Sequence, residues 1–191
     1  MMNTNRKNEA YYQAYLMHHH ISRRGLFRGV LGATEQPNEE QIRTEHRPPF
    51  AAREDLFLAV CNGCGACVSA CANSLLRITH NKAELDIDYM ACDLCGNCAA
   101  VCPTHALHPY FQADTGLRPQ FLVDCIARHG QSCTACQDSC PQVAILPDLT
   151  VRETLCNGCG ECKIACFVSA IRLELAIKVR SKTKVFSDHT F

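Results

Sequence analysis

The chain carries sixteen cysteines in four groups of four, with none left over. The first group is Cys61, Cys64, Cys67 and Cys71. The second is Cys92, Cys95, Cys98 and Cys102, and the fourth is Cys156, Cys159, Cys162 and Cys166. All three are spaced C-x2-C-x2-C-x3-C. The third group, Cys125, Cys133, Cys136 and Cys140, is stretched to C-x7-C-x2-C-x3-C. Thiols in such runs serve one of three chemistries. Disulfides need an oxidising compartment and partners about 4.4–6.8 Å apart at Cα, and repeated tight runs make a poor staple. Zinc usually takes two CxxC pairs separated by a longer loop. The C-x2-C-x2-C-x3-C run is the bacterial ferredoxin signature of a [4Fe-4S] cluster, in which the fourth thiol of one run binds the neighbouring cluster. The spacing favours iron–sulfur chemistry.

Exchange of the fourth ligand predicts four sets. Cys61, Cys64 and Cys67 join Cys102; Cys92, Cys95 and Cys98 join Cys71. In the second half, Cys125, Cys133 and Cys136 join Cys166, and Cys156, Cys159 and Cys162 join Cys140. Four [4Fe-4S] clusters are expected, three of them begun by regular runs. The stretched run leaves alternatives open: Cys125 returns over a loop that holds His129, histidine ligates iron in some centres, and a labile or absent third cluster is the remaining outcome. No cysteine is spare as a nucleophile, and neither a GxxxxGK[ST] loop nor a GxGxxG after a strand is present. Asp93, Asp138 and Glu161 lie between ligands and read as charges that tune potential rather than as acid–base catalysts. The expectation is a non-enzyme with no catalytic residues.

The elements that must position these thiols are short. Gly63, Gly65, Gly96, Gly158 and Gly160 let the backbone approach a cluster, and Pro103 and Pro141 fix the chain direction after their runs. Ala106-Leu107, Ala144-Ile145 and Ala170-Ile171 recur four and five residues beyond a last cysteine. Each module therefore reads as ligand loop, short helical turn and strand, with alternating strands expected at 85–89 and 171–179. The fold class is α+β, as tandem bacterial-ferredoxin-like modules. A basic extension spans 1–55, the first module pair 56–108, a linker 109–124, the second pair 125–180 and a tail 181–191.

Composition agrees with a fold held by its ligands. The 191 residues are 47% apolar, and about 39% without the cysteines, with no Trp, a lean supply for a core that bound metal can supplement. Nineteen basic and nineteen acidic residues leave no footprint for nucleic acid, and no stretch is long and apolar enough for a transmembrane segment. Residues 61–171 are net acidic, and each oxidised cluster with its four thiolates adds about −2.

The N-terminal 34 residues set Arg6, Lys7, Arg23, Arg24 and Arg28 against Glu9. Tyr11, Tyr12, Tyr15 and Leu16 form a stripe at helical spacing, either packed on the body or free to dock a partner. His18, His19 and His20 read as a solvated run. Residues 22–28 resemble a twin-arginine export signal, but Arg28 breaks the apolar region that must follow. A cytoplasmic location is expected, which suits free thiols.

Ser22-Arg23-Arg24-Gly25, Arg47-Pro48-Pro49, Cys136-Gln137-Asp138-Ser139-Cys140 and Leu155-Cys156-Asn157-Gly158-Cys159-Gly160 accompany runs ordered regular, regular, stretched, regular. Over about residues 21–172 the chain resembles the NapF family, ferredoxin-type accessory proteins of the periplasmic nitrate reductase system. The resemblance implies a cytoplasmic protein that assists maturation of the molybdenum-containing subunit NapA before export, with the NapA precursor as partner. A general polyferredoxin electron carrier, or a scaffold with structural clusters, would carry the same cysteines.

Overall fold

The computed structural model describes residues 43–176. The basic segment 1–34, its tyrosine stripe and residues 177–191 lie outside them. Ten short elements follow one another: α1 (Glu54–Val60), α2 (Ala66–Ala70), β1 (Leu76–Thr79), β2 (Lys82–Leu85), α3 (Asn97–Ala100), β3 (Leu117–Phe121), a 3-10 turn (Ile126–His129), α4 (Ala135–Asp138), α5 (Glu161–Ile164) and β4 (Ile171–Leu175).

Each element has a local cause. Glu54 and Asp55 sit in the first turn of α1, where carboxylates suit the positive end of a helix. Leu56, Phe57 and Val60 bury one face of α1, and the helix gives way to extended backbone at Cys61, the first ligand. β1 and β2 form an antiparallel hairpin with Leu76 opposite Leu85 and Thr79 opposite Lys82. The two residues between them, His80 and Asn81, have φ of 49° and 61°, the left-handed pair that a two-residue hairpin turn requires. β3 pairs antiparallel with β4, from Leu117 opposite Leu175 to Phe121 opposite Ile171. Pro119 is tolerated in β3 because a two-stranded sheet leaves one side of every strand unpaired.

Both halves follow one plan. The chain entering each half pairs with the chain leaving it, and a hairpin joins the two cysteine runs between. In the first half the outer pair is a single bridge, Ala51 to Leu107, and the hairpin is β1–β2. In the second half the outer pair is β3–β4, and the hairpin shrinks to the bridge between Ile145 and Val151. Phe57, Leu85, Leu107 and Leu117 are fully buried in one core, on which Leu173 and Leu175 also pack, so β3–β4 seals the first half as well as the second. A separate small cluster of Cys136, Ile145, Cys162 and Ile171 forms the second core.

Three expectations change. The alternation at 85–89 holds only as far as Ile87: Leu85 and Ile87 are buried, Tyr89 is exposed like Asp88, and the strand ends at Leu85. Beyond it the chain bonds singly, Asp86 N–H to the Leu75 carbonyl, instead of continuing a ladder. The helical turns precede the last cysteine of each run rather than follow it. The stretch 109–124, expected as a linker, contains β3. Among the described residues no helix is long and apolar enough to cross a membrane.

Candidate metal centres

In the regular runs, each ligand loop is built by the same few contacts. Asn62, Asp93 and Asn157 follow the first cysteine, and their side-chain oxygens accept from the amides of Cys64, Cys95 and Cys159 at 3.1, 3.3 and 3.2 Å. This side-chain turn folds the first two cysteines toward each other. The glycine after the second cysteine (Gly65, Gly96 or Gly160) then starts the short helix that carries the third. Gly158 allows no alternative: its φ is +69°, and a Cβ there would stand 2.1 Å from Thr115 Oγ1 and 2.5 Å from the Leu117 carbonyl oxygen.

After the fourth cysteine all four runs turn identically. Ser74, His105, Val143 and Ser169 each lie three residues on, with φ of 52°, 56°, 48° and 52°. Their amides donate to the carbonyls of Cys71, Cys102, Cys140 and Cys166. This tight turn points a later amide back at sulfur. Leu75 N–H reaches Cys71 Sγ at 3.4 Å, Leu107 reaches Cys102 at 3.5 Å, and Ala144 and Ala170 reach Cys140 and Cys166 at 3.3 Å each. The recurrent Ala–Leu/Ile pairs in the sequence mark these sulfur-directed amides, not a helix. Such hydrogen bonds are among the factors that set cluster potential.

The thiols gather in four sets, each drawing its fourth member from the neighbouring run. Cys61, Cys64, Cys67 and Cys102 line one pocket that opens to solvent. Cys125, Cys133, Cys136 and Cys166 line a second, and Cys140, Cys156, Cys159 and Cys162 a third. The remaining set shows itself electrostatically: Cys92 feels Cys71 and Cys95, and Cys98 feels Cys92 and Cys95. Cys125 belongs with the stretched set and is buried, while His129 is exposed and its Nε2 lies 2.8 Å from the Val123 carbonyl oxygen. The 3-10 turn Ile126–His129, closed by Gly130, folds the extra residues so that Cys125 comes back to Cys136.

The donor sets fit a cluster. All sixteen cysteines are free thiols. Among the described residues no three Cys, His, Asp or Glu side chains converge to hold a single ion; three of the sets line pockets instead. Burial, and then the other thiols of the set, push Cys67 up to about 11 and Cys162 up to about 12. Burial does the same for Cys98, to about 12, with Cys92 and Cys67 next in effect. Four thiolates in one such cavity are strongly unfavourable without cations among them, and iron supplies those.

Several supporting residues were not singled out from sequence. Thr115 is completely buried under the Cys156 loop, its hydroxyl donating to the Gly158 carbonyl at 2.9 Å and accepting from Leu117 N–H at 3.1 Å. Arg118 forms a two-pronged pair with Asp114, at 3.0 and 2.8 Å. Burial pushes the Cys156 thiol up, and the Arg118 charge works against that push. In the first half Arg47 grips Glu54 through Nε and Nη2, donates to the Ala83 carbonyl and covers the Phe57 ring at 4.9 Å. Arg47 stood in the Arg-Pro-Pro segment, where spacing alone assigns it no partner.

Paired four-thiol sets on short helices and antiparallel hairpins define a ferredoxin-type iron–sulfur protein. Residues 60–106 match a 4Fe-4S dicluster domain and residues 149–172 a 4Fe-4S binding domain. The stretched run falls between the matched spans. The ferredoxin-type protein NapF of Escherichia coli strain K12 is 35% identical over 137 residues, covering 67% of this chain and 84% of that protein. The chain belongs to this NapF-like ferredoxin-type family. Haemophilus influenzae strain KW20 has two such relatives. One, described only as an uncharacterized protein, is 60% identical over 168 residues, covering 88% of this chain and 99% of its own length. The other, that strain's NapF, is 33% identical over 164 residues, covering 80% and 93%.

Proposed function

We propose that the sixteen cysteines hold four [4Fe-4S] clusters in the four sets described, with Cys125 as the stretched run's first ligand. The protein then acts in the cytoplasm as an electron-transfer accessory protein that assists maturation of the nitrate reductase subunit NapA before export. The observation that supports the electron-transfer part is the sorting of thiols into sets of four, three of them lining pockets and each completed by the neighbouring run. Bound clusters supply reversible one-electron chemistry. The chain's own residues hold them, direct four amides at ligand sulfurs, and place the Arg118 charge near Cys156. The NapA part rests on family membership.

Anaerobic purification with iron and sulfide counting tests the first part: four clusters give about sixteen irons and an interacting EPR signal on reduction. A Cys125→Ser variant should lose about four of those irons; unchanged iron would remove Cys125 from the ligands. Capture of the NapA precursor tests the second part. Deleting residues 1–34 should weaken capture and leave iron content unchanged, and equal capture by both forms would remove the docking role of that segment.

One observation favours a second reading, an electron carrier for a different redox partner. The H. influenzae strain that holds a NapF also holds the 60% identical relative, so this chain has a counterpart that exists beside NapF. Capture of another redox subunit in place of the NapA precursor would select that reading.

A further inference from the structure

Two ligand loops of different halves meet directly. The Cys92 amide donates to the Cys159 carbonyl at 2.8 Å. Beside this bond, α5 lies against the 87–92 segment of the first half. Lys163 Nζ donates to the Ile87 carbonyl at 2.5 Å and pairs with the Asp88 carboxylate at 2.9 Å. Gly160 approaches so closely that a Cβ would stand 2.5 Å from Ile87 Cγ2. The contact changes exposure as well: Cys159 is buried, whereas Cys64 and Cys95, at the same place in their runs, are exposed. Among the described residues, no backbone hydrogen bond joins the 61–67 loop or the 125–136 loop to the opposite half.

The remaining neighbours follow from the thiols. The first two runs exchange ligands, and Cys98 feels Cys67 of the adjoining set. The last two runs do the same, with Cys162 feeling Cys136. Electron transfer weakens steeply with distance and is favoured along a bonded path, and among the described residues the backbone hydrogen bond that joins ligand loops of opposite halves is Cys92 N–H to Cys159 C=O.

Resting on the cluster-binding reading above, we propose that the Cys92–Cys159 contact is the junction through which the two halves exchange electrons. The Cys92 and Cys156 runs form the inner pair, and the Cys61 and Cys125 runs stand at the two ends, toward donor and acceptor. The order through the molecule is first, second, fourth, third, which differs from the order along the chain. In each transfer the centre on the Cys92 run loses one electron and the centre on the Cys156 run gains one, or the reverse. No bond is made or broken and no proton moves, and the electron enters from an external one-electron donor, dithionite in the test.

Two double variants of the full-length chain separate the inner pair from any other pair. Cys133→Ala/Cys64→Ala leaves the centres on the Cys92 and Cys156 runs. Cys133→Ala/Cys95→Ala leaves those on the Cys61 and Cys156 runs. Each should hold about eight irons. After dithionite reduction the first variant should show a split, interacting EPR signal, and the second the plain sum of two isolated signals. Isolated signals in both, or splitting in the second, would overturn the junction. A wild-type chain without iron would instead refute cluster binding itself. If a double variant loses its iron, Lys163→Ala decides the matter with all cysteines retained, since it removes the tie of α5 to the Ile87 carbonyl and Asp88. Loss of the inter-half part of the splitting at full iron content is expected, and an unchanged spectrum would overturn the proposal.

Discussion

The two halves follow the same plan and weight it oppositely. The first half closes with one bridge and spends its strand residues on the inner hairpin; the second half closes with β3–β4 and reduces its hairpin to one bridge. What stays constant is the chemistry nearest sulfur: in every run a left-handed residue stands three beyond the fourth cysteine, and a following amide points at Sγ. Strand length is therefore free to vary where the ligand geometry is not. The cores differ in kind as well. The first half packs α1, with Phe57, on Leu85 and Leu107. Of the four residues at the centre of the second core, two are the ligands Cys136 and Cys162. The second half thus draws more of its stability from whatever its thiols bind.

Metal removal should break the molecule unevenly, and this is the largest effect expected. Anaerobic chelation should unfold 125–170 while 54–107 keeps its hairpin and α1. Hydrogen exchange checks it: amides of α4 and α5 lose protection first, and β1–β2 amides persist. Simultaneous loss across both halves would remove the difference between the cores.

The converse perturbation acts on the first half. Arg47 and Glu54 have side chains only 5% exposed each, and removing one partner of a buried pair leaves a charge uncompensated, at a cost of about 3–5 kcal/mol. Arg47→Met should lower the stability of the first half by about that amount. The irons of the second half should remain, as counted after partial denaturation. An Arg47→Met/Glu54→Leu double variant should recover most of the loss, because no charge then stays buried.

How much of this could be read in the sequence depends on what the chemistry constrains. The run spacing pointed to the grouping of thiols that three pockets display, with fourth members exchanged between runs, because a thiol's reach is short and the loop around it is tight. The fold class was legible for the same reason. The strand expected at 171–179 was readable by alternation and is seen at Ile171–Leu175, with 177–179 outside the described residues, but the β1–β2 hairpin was not. Its turn is His80-Asn81, without the glycine that usually marks such turns, and its inward residues include a small Ala83. The pairing of β3 with β4 joins residues fifty or more positions apart, with Pro119 inside the strand, so local pattern pointed to a linker. Thr115 and Arg118 act on a loop far along the chain, and nothing in their own neighbourhood names that partner.

Glycine substitutions probe the loops one level down. Gly158→Ala places a methyl against Thr115 and the Leu117 backbone, neither of which can withdraw without opening β3. A loss of about 3 kcal/mol is expected, with iron released from the Cys156 set before the others. Gly65 has the same backbone hand, φ +79°, but nothing lies within 4 Å of the place a methyl would take. Gly65→Ala should therefore cost only the left-handed strain, about 1–2 kcal/mol, and keep its irons. Thermal unfolding and iron counting on the pair separate contact from strain; equal losses would show that the Thr115 contact contributes nothing.

The smallest effect lies in the one feature where the four repeated turns differ in fitness. Ser74, His105 and Ser169 fill the left-handed position with residues that have no branching at Cβ, but the third run fills it with Val143 at φ 48°. A β-branched residue is a genuine outlier there, at a cost of about 1–2 kcal/mol. Packing does not offset this cost, since Val143 is 69% exposed. Val143→Asn should therefore stabilise the holo-protein by about 1 kcal/mol, because asparagine accepts this conformation far more readily. The increase in thermal midpoint should appear without change in iron content, and Ser169→Asn, where no branched residue is relieved, should give less. A Val143→Asn variant that lost stability would show that the valine methyls make a contact that repays the strain, and would place the stretched run's turn in a different class from the other three.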